Sequence, residues 1–401
     1  MDLVQREYYS SKIDSWIGKE QIIVLTGQRR VGKSYLLKDF IDRHNGESDA
    51  NIIYIDKEKK KFDSIKTYID LNNYIDSQLV ENKHHYILID EIQDVEGWER
   101  SVRSYRTDEN TDVIVTGSNS KMLSGELGTI IGGRYQEIKV QSLTYLEFLK
   151  FHNLKNDDDS LWKYLNFGGL PGLKVIGIDD EEHVWEYIKG VFNTVMLKDI
   201  VERHDIRNVP FLNNLITYLS DTEGKPTSAT NISNTMKANG QSIATKVVQD
   251  YISYFVEAFL LYEVNRFDIH GKKLFETNCK YYFEDVGIRN LISKGERTQD
   301  IEKVIENVVF NQLVHDGYDV NVGQLRAGEV DFVCTKTNSK CYIQTSWLIA
   351  SDETREREFG RLKSINDNYP KYVISMSPLV KRSDDNGITH IGLREFLTNG
   401  L

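Results

Sequence analysis

Five short apolar runs punctuate the first 140 residues: QIIVLT (21–26), NIIYID (51–56), HYILID (85–90), DVIVTG (112–117) and YQEIKV (135–140). Each is of strand length, and helical or loop stretches separate them. Strands that alternate with helices predict an α/β domain on a parallel sheet with helices on both faces. The pattern changes at LKNDDDS (154–160), a polar and acidic break, and again at GGLPG (168–172). HVWEYIKGVFNTVMLKDIVERH (183–204) then keeps helical spacing. Residues 209–290 read as three helices (PFLNNLITYLSD, SATNISNTMKAN and SIATKVVQDYISYFVEA) and the hairpin LLYEVNRFDIHGKKLFETNCKYYFED, with Thr227, Ser228 and Ser242 where N-caps are wanted. From Ile301 the order is helix (IEKVIENVVFNQLVHDG), strands YDVNVGQ, GEVDFVCTK and CYIQTSW, a charged helix (TREREFGRLKSIND) and strand KYVISMS.

A chain of 401 residues with 40% apolar content can hold two or three domains with their own cores. The formal net charge of −11 argues against a protein coated in nucleic acid. The start, MDLVQREYYSSKIDSW, has no charged-then-apolar signal pattern, and no apolar run approaches the roughly 20 residues that span a bilayer, so a cytoplasmic protein without membrane contact is expected. Cys279, Cys334 and Cys341 lack paired metal spacing and read as reduced structural thiols.

The first strand runs into GQRRVGKS (27–34), and helical spacing follows it. That is the context of a phosphate-binding loop. Gly27 and Gly32 let the backbone turn its N–H groups toward phosphate oxygens, Lys33 carries a positive charge to the β- and γ-phosphates, and the Ser34 hydroxyl can ligate Mg2+. The segment Gly27, Gln28, Arg29, Arg30, Val31, Gly32, Lys33, Ser34 and Tyr35 is therefore the expected ATP site. The third run ends in Asp90 and Glu91, suited to holding the Mg2+ shell and polarising the attacking water, respectively. The fourth ends in TGSNS, where Ser118, or its neighbour Asn119, is a candidate sensor of the γ-phosphate. Gly132 and Gly133 precede Arg134, which is either an arginine finger reaching a neighbouring subunit's nucleotide or a surface Arg after a Gly turn.

GQRRVGKS, ILIDEIQDVEGW, VIVTGSNS and GGRYQEIKVQSLTYLEFL together resemble the AAA+ ATPase module of a large prokaryotic family, in which the ATPase is followed by a C-terminal domain of unknown function. The resemblance spans nearly the whole chain. It implies the strand order, the roles of Lys33, Ser34, Asp90, Glu91, Ser118 and Arg134, and a winged helix in the middle of the chain. It supplies no agreed biological task.

The three helices and hairpin have the layout of a winged helix-turn-helix, whose third helix would offer DNA Lys246, Gln249 and Ser253, with Arg266, Lys272 and Lys273 on the wing. Six basic and four acidic residues between 224 and 275 make a faint electrostatic footprint, so a protein partner stands beside DNA as an expectation. The last third has the element order of the restriction-endonuclease-like fold. Active members of that fold resemble one another in a helix Glu, a strand Asp and a Glu-x-Lys on the next strand. Glu306 and Asp331 stand at the first two places here, but the third reads Gln344, Thr345, Ser346. Without that carboxylate and lysine, the expected domain is nuclease-shaped and catalytically silent. The resulting division is an ATPase domain (1–155), a helical linker or lid (156–208), the winged helix (209–298) and the nuclease-like domain (299–401). The expected function is ATP hydrolysis coupled to a DNA- or protein-binding half. The alternatives are an ATP-dependent nuclease and a signalling ATPase that forms homo-oligomers around a partner.

Overall fold

β1 (Ile22–Thr26) is buried at all five positions. Ile22 and Val24 join one core cluster and Ile23 and Leu25 another, because successive side chains of a strand point to opposite faces. A run that is apolar at every position thus marks a strand covered on both sides. In the computed structural model, which describes residues 4–120, 132–238, 240, 243–293, 300–326, 328–337, 339–377 and 382–401, the chain forms two compact units.

The first unit comprises residues 1–141 with 257–259. Its elements are α1 (Glu7–Asp14), β1, α2 (Lys33–His44), β2 (Ala50–Asp56), α3 (Tyr68–Asp76), β3 (His84–Asp90), α4 (Trp98–Tyr105), β4 (Thr111–Gly117) and β5 (Tyr135–Lys139). The sheet order is β2-β3-β4-β1-β5 and every pair is parallel, so the expected α/β sheet is present with strands close to the five apolar runs. α1 and α2 cover one face through Tyr9, Ile13, Leu36, Leu37 and Phe40. α3 and α4 cover the other through Leu71, Ile75, Trp98, Val102 and Tyr105.

The second unit comprises residues 142–256 with 260–401. It opens with α5 (Tyr145–His152), which starts from a capping box of Thr144 and Glu147, then α6 (Asp158–Phe167) and α7 (Glu181–Thr194). α7 continues in widened π-type turns over Val195–Glu202. α8 (Val209–Asp221), α9 (Ala229–Ala238) and α10 (Thr245–Glu257) follow, then the hairpin β6 (Leu261–Asp268) and β7 (Lys273–Phe283). The Ser228 hydroxyl accepts from the Asn231 N–H as an N-cap; Ser242 lies outside the described residues. After α11 (Val286–Ile292) and α12 (Ile301–His315) come β8 (Asp319–Leu325), β9 (Gly328–Lys336), β10 (Ser339–Ser346), α13 (Asp352–Lys363), β11 (Lys371–Ser375), β12 (Ser383–Asp385), β13 (Ile388–Gly392) and α14 (Leu393–Asn399).

Among the described residues, one mixed sheet of eight strands, ordered β12-β13-β11-β10-β9-β8-β6-β7, gathers the strands of this unit. The hairpin β6–β7 is therefore hydrogen-bonded into the same sheet as β8–β11, with β6 parallel to β8. α13 packs Phe359 and Leu362 on one face against Val330, Tyr342 and Val373. On α12, Phe310 stacks on Tyr282 of β7 with ring centroids 4.5 Å apart. The three cysteines are buried and form no disulfide among the described residues. No helix among the described residues is long and apolar enough to cross a membrane.

Candidate functional site

The chain leaves β1 through a sharply constrained loop. Gly27 has φ +144°, and a Cβ there would lie 2.1 Å from the Val140 carbonyl oxygen, so only glycine fits. Arg30 (φ +72°) and Gly32 (φ +102°) are also left-handed, and Gly32 caps the N-terminus of α2. Such alternation is how a short segment makes a concave run of N–H groups that receives anions. Lys33 is buried at the start of α2 and its ammonium donates to the carbonyls of Gly27 (2.8 Å) and Gln28 (2.9 Å). Ser34 and Tyr35 follow in the first turn, Tyr35 exposed, and the Arg29 guanidinium lies 3.4 Å from Glu58.

Arg6 braces this loop and was not foreseen. Its buried guanidinium donates to the carbonyls of Val31 (3.0 Å) and Gln141 (2.9 Å) and lies 4.5 Å from the centre of the Tyr9 ring. The sequence signal was only one basic residue ahead of the first helix.

β3 delivers Asp90 to the same end of the sheet. Asp90 Oδ1 accepts from the Thr116 hydroxyl at 2.5 Å, and the Ser34 side chain also donates to this carboxylate. Burial pushes the Asp90 carboxyl above its ordinary range, against the pull of those two hydroxyls, and the charges of Glu91 and Asp56 push the same way. Asp56 is in register with Asp90 on the neighbouring β2. Glu91 sits in the left-handed region (φ +54°); its N–H donates to Thr116 Oγ1 (2.9 Å) and its carboxylate accepts from Gln93 (2.5 Å). The fold thus joins Ser34, Asp90 and Glu91, with Thr116 as an unforeseen bridge. A hydroxyl on a carboxylate at the phosphate loop is a donor set that fits Mg2+.

Ser118 follows directly after Gly117, which pairs with Thr26 in the register of β4 and β1. It is fully buried, and its hydroxyl has no hydrogen-bond partner among the described residues. Asn119 beside it is also buried. Arg134 is exposed and sits just before β5, its carbonyl accepting from the N–H of Ile22 at 3.2 Å. That is the start of β1, whereas the loop leaves its far end. Five residues at about 3.3 Å separate the two, roughly 16 Å. Arg134 is therefore not gathered with the other candidates in this chain.

In the second unit Glu306 (α12), Glu329 and Asp331 (β9) surround Lys280, which lies on the hairpin strand β7. The ammonium of Lys280 on β7 lies 3.0 Å from Glu306 and 2.5 Å from Glu329, and the Tyr282 hydroxyl donates to Glu306 at 2.6 Å. Burial pushes the Glu306 carboxyl up to about 7, with Lys280 opposing and Asp331 adding to the rise. Lys280 holds its proton more tightly than usual, because the charges of Glu306, Asp331 and Glu329 outweigh burial. Three carboxylates around one ammonium leave excess negative charge, which raises the Lys280 ammonium and adds, after burial, to the rise at Glu306. Asp331 Oδ2 accepts from the Gln344 amide (3.0 Å), the Thr345 N–H (2.8 Å) and the Thr345 hydroxyl (2.7 Å). Among the described residues no three His, Cys, Asp or Glu side chains are placed to hold a metal ion.

Of the candidate DNA contacts, Lys246 and Gln249 lie exposed on α10, and Lys272 and Lys273 at the hairpin turn are exposed. The Lys246 ammonium is 2.8 Å from Asp250, one turn along its own helix.

Residues 19–149 match the family described as an AAA domain, and residues 158–299 match a domain of unknown function (DUF8612). An uncharacterized protein of Haemophilus influenzae is 33% identical over 380 residues, covering 93% of both chains. One of Methanocaldococcus jannaschii is 30% identical over 363 residues, covering 86% of this chain and 79% of that one. Among solved structures, a Walker-type ATPase of Pyrococcus abyssi has the same fold with a TM-score of 0.50 at 16% identity, covering 73% of this chain and 96% of the other. The phosphate loop, the acidic end of β3 and these likenesses agree: residues 19–149 are an AAA domain of the P-loop type, and the chain belongs to one family with its Haemophilus influenzae and Methanocaldococcus jannaschii relatives.

Proposed function

We propose that the chain hydrolyses ATP and passes its nucleotide state to a C-terminal half that binds DNA or a protein partner. The observation that carries this reading is the linked set of Ser34, Asp90, Thr116 and Glu91 beside the phosphate loop. In the proposed mechanism the loop from Gly27 to Tyr35 holds the phosphates, and Lys33 exchanges the carbonyls of Gly27 and Gln28 for phosphate oxygens. Ser34 and Asp90 would hold Mg2+, which when bound neutralises charge on the β- and γ-phosphates. Glu91 orients the attacking water and Ser118 contacts the γ-phosphate. Arg134, about 16 Å from its own loop, acts on the nucleotide of a second copy. Arg134→Ala should then lower turnover without lowering ATP affinity, and wild-type specific activity should climb with protein concentration. A concentration-independent rate in a monomer would remove this role.

For the second unit, we propose a winged helix (209–298) after a linker or lid (156–208), and a nuclease-like domain (299–401) that is catalytically silent. Two arrangements support silence. The Lys280 ammonium is placed among the carboxylates as an internal cation, and Gln344 donates to Asp331 where a glutamate would repel it. Cleavage of DNA by the wild type, lost in Asp331→Ala but retained in Lys33→Ala, would instead make the protein an ATP-dependent nuclease. The deciding experiment is the ATPase rate with and without double-stranded DNA, alongside native mass with ATP. Stimulation by DNA supports the DNA-coupled reading. Assembly without stimulation supports a signalling ATPase acting on a protein.

A further inference from the structure

Gln28 is the second residue of the phosphate loop, and its side chain is fully buried with neither the amide nitrogen nor the amide oxygen hydrogen-bonded among the described residues. A buried, unpaired carboxamide is costly, and native chains keep few of them. The loop has other means of holding itself. Lys33 takes the Gln28 backbone carbonyl, Arg6 takes that of Val31, and Gly27 lies against Val140. The Gln28 amide contributes to none of these bonds.

A second unpaired group lies nearby in the fold. Thr26 and Gly117 are the last paired residues of β1 and β4, so Ser118 is one residue beyond that register and Gln28 two beyond it on the adjacent strand. The Ser118 hydroxyl is likewise fully buried and unpartnered among the described residues. Parallel strands run about 4.8 Å apart, which sets both groups at the same edge of the sheet as Lys33, Ser34 and Asp90. An amide offers what a terminal phosphate and its attacking water need together: N–H donors for a phosphate oxygen and a carbonyl that accepts from water.

We propose that Gln28 is a specificity-determining residue that distinguishes a nucleoside triphosphate from a diphosphate by pairing its amide with the γ-phosphate end of the ligand. This inference rests on the ATPase reading above. Its signature differs from that of a structural residue, because replacing an unpaired buried amide by an apolar group of similar shape relieves a cost in the unliganded protein.

The test uses the full-length chain and the variants Gln28→Leu and Gln28→Met, with thermal unfolding followed alone, with ADP and with a non-hydrolysable ATP analogue. The unliganded variants should melt a few degrees above the wild type, by about 2–4 °C. The wild type should bind the ATP analogue more tightly than ADP in the presence of Mg2+, and that preference should fall about tenfold in both variants while ADP affinity is kept. Lower melting temperatures in both unliganded variants would assign Gln28 to structure and overturn the proposal. So would an unchanged preference for the ATP analogue. A wild type stabilised by neither nucleotide would overturn the ATPase reading as well, an outcome distinct from failure at Gln28 alone.

Discussion

Each unit holds a buried strand aspartate with further acids close by, and the two are satisfied in opposite ways. Asp90 is served by hydroxyls, those of Thr116 and Ser34, and is repelled by Asp56 and Glu91. Asp331 is served by amides and a hydroxyl, and the acids beside it, Glu306 and Glu329, are held by the Lys280 ammonium. Hydroxyls leave the negative charge uncompensated, which suits a carboxylate that takes a divalent ion and releases it. An ammonium fixed on a strand supplies compensation permanently. The number of carboxylates is thus a poor guide to metal chemistry; the charge of their fixed partners is a better one.

The largest effects should come from breaking the first arrangement. Lys33→Ala and Glu91→Gln should each lower ATP turnover by on the order of 10³-fold. Only Lys33→Ala should also lose bound nucleotide, since it removes a phosphate ligand while Glu91→Gln removes only the group that orients water. Nucleotide retained through gel filtration separates them. Equal retention by both would take Glu91 out of the catalytic role.

Breaking the second arrangement should act on stability instead. Lys280→Met strands Glu306 and Glu329 without their cation and should cost about 3–5 kcal/mol in denaturant unfolding, the scale for removing one partner of a buried ion pair. Lys280→Met combined with Glu306→Gln and Glu329→Gln should recover much of the loss, because the repulsion goes with the charges. If the single and triple variants are equally unstable, Lys280 matters for packing and not as a counter-ion. Wild-type stability should be the same in EDTA as in Mg2+ without nucleotide, where a metal-dependent second unit would lose stability in EDTA.

The contrast explains what the sequence made legible. The phosphate loop and the acidic end of β3 are local: Gly27, Gly32, Lys33 and Ser34 are contiguous, and Asp90 ends a fully apolar run, so adjacency in sequence carried the geometry. Most strands and helices between residues 209 and 375 were also legible from period and length. The site there was not, because Lys280 reaches Glu306 and Glu329 only once β6 pairs with β8 and draws the hairpin into the large sheet. A register between strands more than fifty residues apart leaves no mark in either strand's own pattern. Thr116 and Arg6 were missed similarly, since each acts through hydrogen bonds to residues far away in the sequence. β12, β13 and α14 were absent from the reading because ITHIG and SDD are too short and too polar to stand out as strands.

The smallest expected effect is a pH dependence that sharpens the same comparison. Glu306 is pushed up to about 7 from its ordinary value of 4.5 by burial, so between those values the folded chain holds a proton there that the unfolded chain has released. The group's contribution to stability is fully present below about 4.5 and is lost as pH rises through about 7. Glu223, buried beside Arg289 and also pushed up to about 7 by burial, has the same sign. His152, pulled down to about 4 by burial, has the opposite one, since protonation in the unfolded chain weakens folding as pH falls below its ordinary value. The whole-protein profile therefore mixes signs, and the useful quantity is a difference. Glu306→Gln keeps a neutral side chain at every pH, so the stability of the wild type relative to this variant should decline by about 1 kcal/mol per pH unit between pH 5 and 7 and then level off. Urea unfolding of both proteins at pH 5, 6, 7 and 8 measures it. A flat difference would mean that Lys280 keeps Glu306 ionised throughout, making the pair a simple salt bridge and not part of a carboxylate cluster with too few positive charges.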